Sequence, residues 1–216
     1  MSTGSELQIK GTRIFEKGNY QEAIGIFTEA MEAYRSENNG QMAAEMQVNI
    51  GMCKRELEQY EDAIKEMQVS LAYFDEHGPQ VRKAQTMGNM ALAYAKLGDT
   101  EQAQTMYREA GAIFRELNED EQYGETVLAL ADMYFRAGDM MLAAATYEVG
   151  LDYIKNLNQR QKMMRQLGML RARLTGEKKA QENASTEATT DSRRRRRGIN
   201  TRRIGQGKIG EEKSDE

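Results

Sequence analysis

Cys53 and His77 are the sole thiol and the sole imidazole in the sequence, so nucleophilic or acid-base chemistry has few places to begin. One cysteine allows no intramolecular disulfide and excludes a thiolate metal site within one chain. It reads as a small buried hydrophobe. His77 falls in the break His77-Gly78-Pro79, with no serine, cysteine or metal ligand near it in sequence to complete a site. No catalytic residue, metal or cofactor is expected. Gly205, Gly207 and Gly210 have the spacing of a dinucleotide-binding loop. Such a loop works only between a strand and a helix of a parallel sheet, and nothing before it predicts a strand. Asn183-Ala184-Ser185 matches the glycosylation pattern, but MSTGSELQIKG at the start lacks the apolar core of a signal peptide. The match reads as chance.

Arg193, Arg194, Arg195, Arg196 and Arg197, followed by Arg202, Arg203 and Lys208, form a stronger chemical signal. Consecutive like charges repel and stay extended until an anion neutralises them. Three readings stay open: a nuclear-import address read by an importin, a contact with nucleic acid or an acidic membrane, or an intramolecular contact with the rest of the chain. No aromatic residue lies in this segment, so base stacking is excluded and backbone electrostatics would carry any nucleic-acid binding. From Gly176 onward there are 11 Lys+Arg against 8 Asp+Glu, leaving 19 against 26 before it. An acidic body thus carries a basic tail.

The body is organised by a repeat. Ala23, Ala63, Ala103 and Ala143 are spaced by 40 residues, as are Gly11, Gly51, Ala91 and Ala131. The same step relates Phe27, Met67, Tyr107 and Tyr147, and also Tyr34, Phe74, Phe114 and Ile154. Small columns stay small and bulky columns stay bulky, as stacked helices require where backbones approach and knobs fill the space between them. A period of this length signals a solenoid, and the apolar spacing within it is helical. Ile24, Phe27, Met31 and Tyr34, for example, share one helix face. Hydrophobic residues at 39%, charged residues at 30%, one proline and 15 methionines suit long helices with a solvated surface and adaptable interfaces.

Four helix pairs are expected at about 5–40, 41–78, 79–118 and 119–157, with a capping helix over 158–174, together making a solenoid over 1–175. Internal turns fall at Gly18-Asn19, Gln59-Tyr60, Gly98-Asp99 and Gly138-Asp139. Asn19 with Glu22, and Asp99 with Gln102, can form capping boxes. Gly78 suits a left-handed helix end and Pro79 the first turn of the next helix. The first helix is expected over Leu7–Lys17 and the last of the fourth pair up to Leu157. The segment 158–174 keeps an apolar face in Met163, Met164, Leu167, Leu170 and Leu174 and covers the end of the array. Residues 176–216 are too polar to offset the entropy of ordering and are expected to be disordered.

The columns resemble tetratricopeptide repeats. The third unit places Ala91, Tyr94, Ala103, Tyr107 and Ala110 at the family's pattern positions, and the first places Gly11, Ile14, Ala23, Phe27 and Ala30 there. Lys54, Ser70 and Gly150 depart from the pattern. The usual period is 34 residues; the longer one here is similar to those of LGN/Pins polarity adaptors, kinesin light chains and response-regulator phosphatases. The resemblance implies an all-α, right-handed α-solenoid whose first helices line a concave groove that binds a partner peptide or helix. Carried across by position, the groove residues are Asn49, Met52 and Arg55, then Asn89, Leu92 and Lys96, then Leu128, Asp132 and Arg136. Asn49 and Asn89 share a repeat position, and paired amides can hold an extended backbone. Met52 and Leu92 also fit a packing role. Of the carboxylate clamp used by chaperone-binding members, only Asn49 matches. Gln8, Thr12, Gln85 and Asn89 stand where the clamp has its other cations and asparagine, so chaperone tails are not the expected ligand.

The expected function is therefore a non-enzymatic protein-interaction adaptor or scaffold, binding a peptide or helix of another protein in the groove. The alternative is a nucleic-acid-associated or nuclear factor that uses the arginine-rich tail for anion binding and the solenoid for protein recruitment. No apolar run reaches the roughly 20 residues that span a bilayer. A cytoplasmic location, or a nuclear one if the tail is an import address, is the expectation.

Overall fold

The computed structural model describes residues 3–159, 161–166 and 169. The chain divides into two compact units, Met1–Asn158 and Gln159–Glu216. The first holds eight helices: α1 (Gly4–Glu16), α2 (Tyr20–Ser36), α3 (Gly40–Glu56), α4 (Tyr60–Glu76), α5 (Gln80–Leu97), α6 (Thr100–Glu116), α7 (Asp120–Arg136) and α8 (Met140–Tyr153). Each packs against its neighbours in the chain, and α3 additionally touches α5. That second-neighbour contact brings first helices of successive pairs onto one side of the array. The unit is an α-solenoid of four helix pairs, with no strand among the described residues. In the second unit residues 159, 161–166 and 169 are helical, and Met163 and Met164 are exposed. The rest of the expected cap and all of 176–216 lie outside the described residues, Arg193–Arg197, Arg202 and Arg203 included.

The repeating columns meet as their sizes require. A Cβ added to Gly11 would lie 2.7 Å from the Phe27 ring, and one added to Gly51 the same distance from Met67, so the small column exists to admit the bulky one. A further column serves the other end of each pair: Gly4, Ala44, Ala84 and Gly124. A Cβ on Gly4 would meet the Tyr34 ring at 2.7 Å, and one on Gly124 would meet Ile154 at 2.9 Å. Phe27, Met67 and Phe74 are almost wholly buried.

The three departures from the family pattern are each compensated locally. Lys54, where other units hold Ile14, Tyr94 and Tyr134, pairs with Glu66 at 2.6 Å, and Gln47 donates to the same carboxylate at 2.6 Å. The Ser70 hydroxyl, buried in an otherwise small apolar column, donates to the Ala44 carbonyl at 3.0 Å across the helix interface. Gly150 admits Leu128, which would lie 2.8 Å from a Cβ there.

Helix ends differ from expectation in several places. Asn19 makes no side-chain cap, so the expected box with Glu22 is absent. Asp99 caps α6 by accepting from the Gln102 amide. Among the described residues the one reciprocal box belongs to Thr3 and Glu6, which starts α1 at Gly4, before the expected Leu7. Gly78 does not take the left-handed conformation; the chain is left-handed at Gly18, Glu58, Gly98 and Gly138 and at Asn38 and Asn118. A Cβ on Gly78 would lie 2.5 Å from the Phe74 side chain, so close packing accounts for that glycine. Pro79 is the cap and not the first turn of α5. α8 stops at Tyr153, short of the expected Leu157, because Ile154 turns extended and its side chain takes the space that Gly124 leaves.

Candidate functional site: a groove along the first helices

α3, α5 and α7, with Phe74 of α4 and Tyr107 and Phe114 of α6, line an open cavity of about 440 Å³. Of the residues expected in the groove, Asn49, Met52 and Asn89 line it. Asn49 and Met52 also line a second cavity of about 260 Å³, shared with Thr12 and Phe15 of α1. Asn49 and Met52 thus form a wall common to both cavities, which between them reach all four first helices.

The two asparagines are chemically complementary. Asn89 accepts from Arg55 at 3.3 Å through its side-chain carbonyl, and its amide hydrogens make no side-chain hydrogen bond among the described residues. The Asn49 amide faces only the Met46 sulfur at 4.0 Å, which leaves its carbonyl as an acceptor. A peptide unit carries one donor and one acceptor, and this pair offers the converse of each.

Arg55 is fixed from two sides, by Asn89 and by Glu56 at 2.8 Å. Its charge and those of Arg136 and Asp132 are felt at the Tyr107 hydroxyl. Burial raises the Tyr107 pKa, the two arginines oppose that rise, and Asp132 adds to it. Asp132 and Arg136 do not line the cavity. Leu92 and Lys96 are exposed on α5 outside the cavity. Leu128 is turned toward α8 and Gly150, so its side chain packs within the fourth pair.

Around Gln85, which positional transfer placed only as a departure from the clamp, the structure adds residues that it missed: Glu45 and Glu125, with Arg82 and Gln122. Glu45, Gln85 and Glu125 are themselves spaced by 40 residues, one turn before the asparagine column, and that spacing was the available signal. Arg82 pairs with Glu45 at 3.1 Å and donates to Gln85 at 3.0 Å, bridging α3 and α5 across the groove.

Cys53 is fully buried, and burial pushes its thiol up to about 12, so a thiolate is inaccessible near neutral pH. His77 is exposed and stacked on Tyr73, with ring centroids 5.6 Å apart. Among the described residues no three His, Cys, Asp or Glu side chains could hold a metal, and no helix is long and apolar enough to cross a membrane.

No curated protein matches the sequence significantly. Solved structures do resemble the fold. BtubC from P. vanneervenii has a TM-score of 0.65 at 15% identity, over 98% of this chain and 85% of that one. A putative kinesin light chain from Podosopora anserina, described as nearly identical TPR-like repeats, has a TM-score of 0.63 at 17% identity, over 84% of this chain and 93% of that one. The Rap conjugation gene regulator of plasmid pLS20, solved in complex with the Phr* peptide, has a TM-score of 0.59 at 16% identity over 79% of this chain. This chain spans 53% of that regulator. The tetratricopeptide-repeat family model matches residues 11–76, 42–116 and 82–156 in overlapping registers. Matched over more than half its length, in the register that its buried columns follow, the chain belongs to the tetratricopeptide-repeat family.

Proposed function

We propose that the protein is an interaction adaptor that holds an extended peptide segment of another protein across α3, α5 and α7. The observation that carries this reading is the Asn49–Asn89 pair: two amides in one repeat register, beside one continuous cavity, with a free acceptor on one and free donors on the other. The wall beside them is apolar at Val48, Met52 and Ala129, suited to side chains alternating with the held backbone. The peptide complex of the Rap regulator supports the mode, since a related fold accommodates such a ligand. Fold membership in a repeat class whose extended concave surfaces recognise partners supports it as well.

The test is a pull-down with the full chain and with the Asn49→Ala, Asn89→Ala double variant, both read by mass spectrometry. Proteins held by the native chain and lost from the variant identify the groove's ligand. An identical set from both would overturn the groove reading. The nuclear or nucleic-acid alternative rests on Arg193–Arg197, Arg202 and Arg203, which lie outside the described residues; the groove reading assigns them no part in peptide binding.

A further inference from the structure

A second cleft lies between α6 and α7, with a volume of about 540 Å³. Its origin is a single residue. Met31, Leu71, Gly111 and Leu151 form one repeat column; Met31 and Leu71 pack against the core of their units and Leu151 is buried. The third unit alone has no side chain there. A Cβ on Gly111 would meet nothing closer than Thr126 at 3.7 Å and Tyr123 at 3.8 Å, which is ordinary contact, so sterics do not require this glycine. A glycine inside a helix lowers its stability relative to alanine. Local rules broken at one position without local compensation are characteristic of functional sites.

The cleft's chemistry is specific. Its walls are Ala112, Val127, Leu130 and the rings of Tyr107 and Tyr123, and its rim carries Arg108 and Arg115 with Glu116. Arg108, Gly111, Ala112 and Arg115 follow helical spacing and share one face of α6. The Cα atoms of the arginines are about 10.5 Å apart along the axis, at about 1.5 Å per residue. Each guanidinium is held by a tyrosine: Arg108 lies 6.0 Å from the centre of the Tyr134 ring and donates to its hydroxyl at 2.8 Å, while Arg115 lies 6.0 Å from the centre of the Tyr123 ring. Among the described residues neither arginine is in an ion pair. The size falls in the range of small-molecule sites, which combine apolar walls with a few fixed polar groups, and cations held in place lose little entropy on binding.

We propose that this cleft binds a small amphiphilic anion, with an aromatic or branched aliphatic body over Gly111 and a carboxylate or sulfonate held by Arg108 or Arg115. The site is separate from the peptide groove, though Tyr107 and Thr126 form a wall common to both cavities.

Titration of the full chain with 8-anilino-1-naphthalenesulfonate, read by dye fluorescence and by amide NMR shifts, tests this. N-phenyl-1-naphthylamine, the same body without the sulfonate, is the control. The native chain should bind the sulfonate with shifts centred on Ala112, Tyr123 and Val127. Gly111→Leu restores the residue of two other units; it should abolish those shifts while raising the thermal midpoint, and Gly111→Ala should weaken them. Arg108→Gln with Arg115→Gln should weaken the sulfonate by about tenfold or more and leave the neutral dye within about twofold. No shifts in the native chain, equal shifts in Gly111→Leu, or equal losses for both dyes in the arginine variant would each overturn the proposal.

Discussion

Glu66 shows how one side chain lets a charged residue stand where the repeat expects a large apolar one. Burial pushes its carboxyl upward, but the hydrogen bonds from Lys54 and Gln47 and the Lys54 charge outweigh this and leave its pKa below the ordinary 4.5. A carboxylate whose folded pKa is depressed adds stability above its unfolded value and loses it as pH falls through the lower folded value. Native protein should therefore lose stability below about pH 4.5 more steeply than Glu66→Gln, and at neutral pH the substitution should cost no more than about 1 kcal/mol, given the partial exposure. Denaturant melts of both proteins between pH 3 and pH 7, in steps of about half a unit, check this; parallel curves would contradict it. Lys54 and Ser70 were visible in the sequence as irregularities, but not their remedies. Glu66 and the Ala44 carbonyl lie on neighbouring helices, and a column comparison relates equivalent positions, not facing ones. The groove divides in the same way. Asn49, Met52 and Asn89 followed from register, as did Gln85 as a clamp position, whereas Glu45 and Glu125 had no signal but their own 40-residue spacing until α3, α5 and α7 were brought together.

At the scale of the element, the turns carry most of what the sequence disclosed. Three of the four internal turns place glycine at the left-handed position, Gly18, Gly98 and Gly138, and the fourth places Glu58 there with φ 61°. That is why the second unit's turn was the weakest signal: the backbone geometry repeats, but the residue type suited to it does not. A non-glycine residue in that region costs about 1–2 kcal/mol, offset in part by the lower unfolded-state entropy of a side-chain-bearing residue. Glu58→Gly should accordingly raise stability by about 0.5–1 kcal/mol, measured as a shift in urea midpoint at unchanged slope. A lower midpoint would show that Glu58 makes a compensating interaction. α8 was misjudged for a different reason. Its bulky column ends in Ile154, which is not aromatic like Tyr34, Phe74 and Phe114, and the partner column returns to Gly124. A smaller knob and a deeper hole let the chain turn out of the helix early.

At the scale of the whole molecule, a solenoid stabilises itself through nearest-neighbour interfaces, and we propose, from the end of the apolar sequence pattern at Leu174, that the protease-resistant body ends near 175. Limited trypsin digestion should cut first after the arginine run and leave a fragment ending near 175. A resistant fragment retaining Arg203 would contradict that division. The fold was legible because a period of 40 residues leaves its mark in every column at once, and one insertion would have destroyed it. Partner identity leaves no such mark, since the columns record how helices pack against one another and not what they bind.

The central claim is that recognition resides in the groove, and one binding assay addresses it. With a partner captured by the native chain, affinity should be compared between Asn49→Ala with Asn89→Ala and a variant in which Arg193 through Arg197 are serine. Each hydrogen bond removed is worth roughly 0.5–1.5 kcal/mol, so the asparagine variant should bind about tenfold more weakly with unchanged helical circular dichroism, while the arginine variant binds as the native chain does. Native affinity in the asparagine variant together with lost binding in the arginine variant would move recognition to the tail and contradict the account.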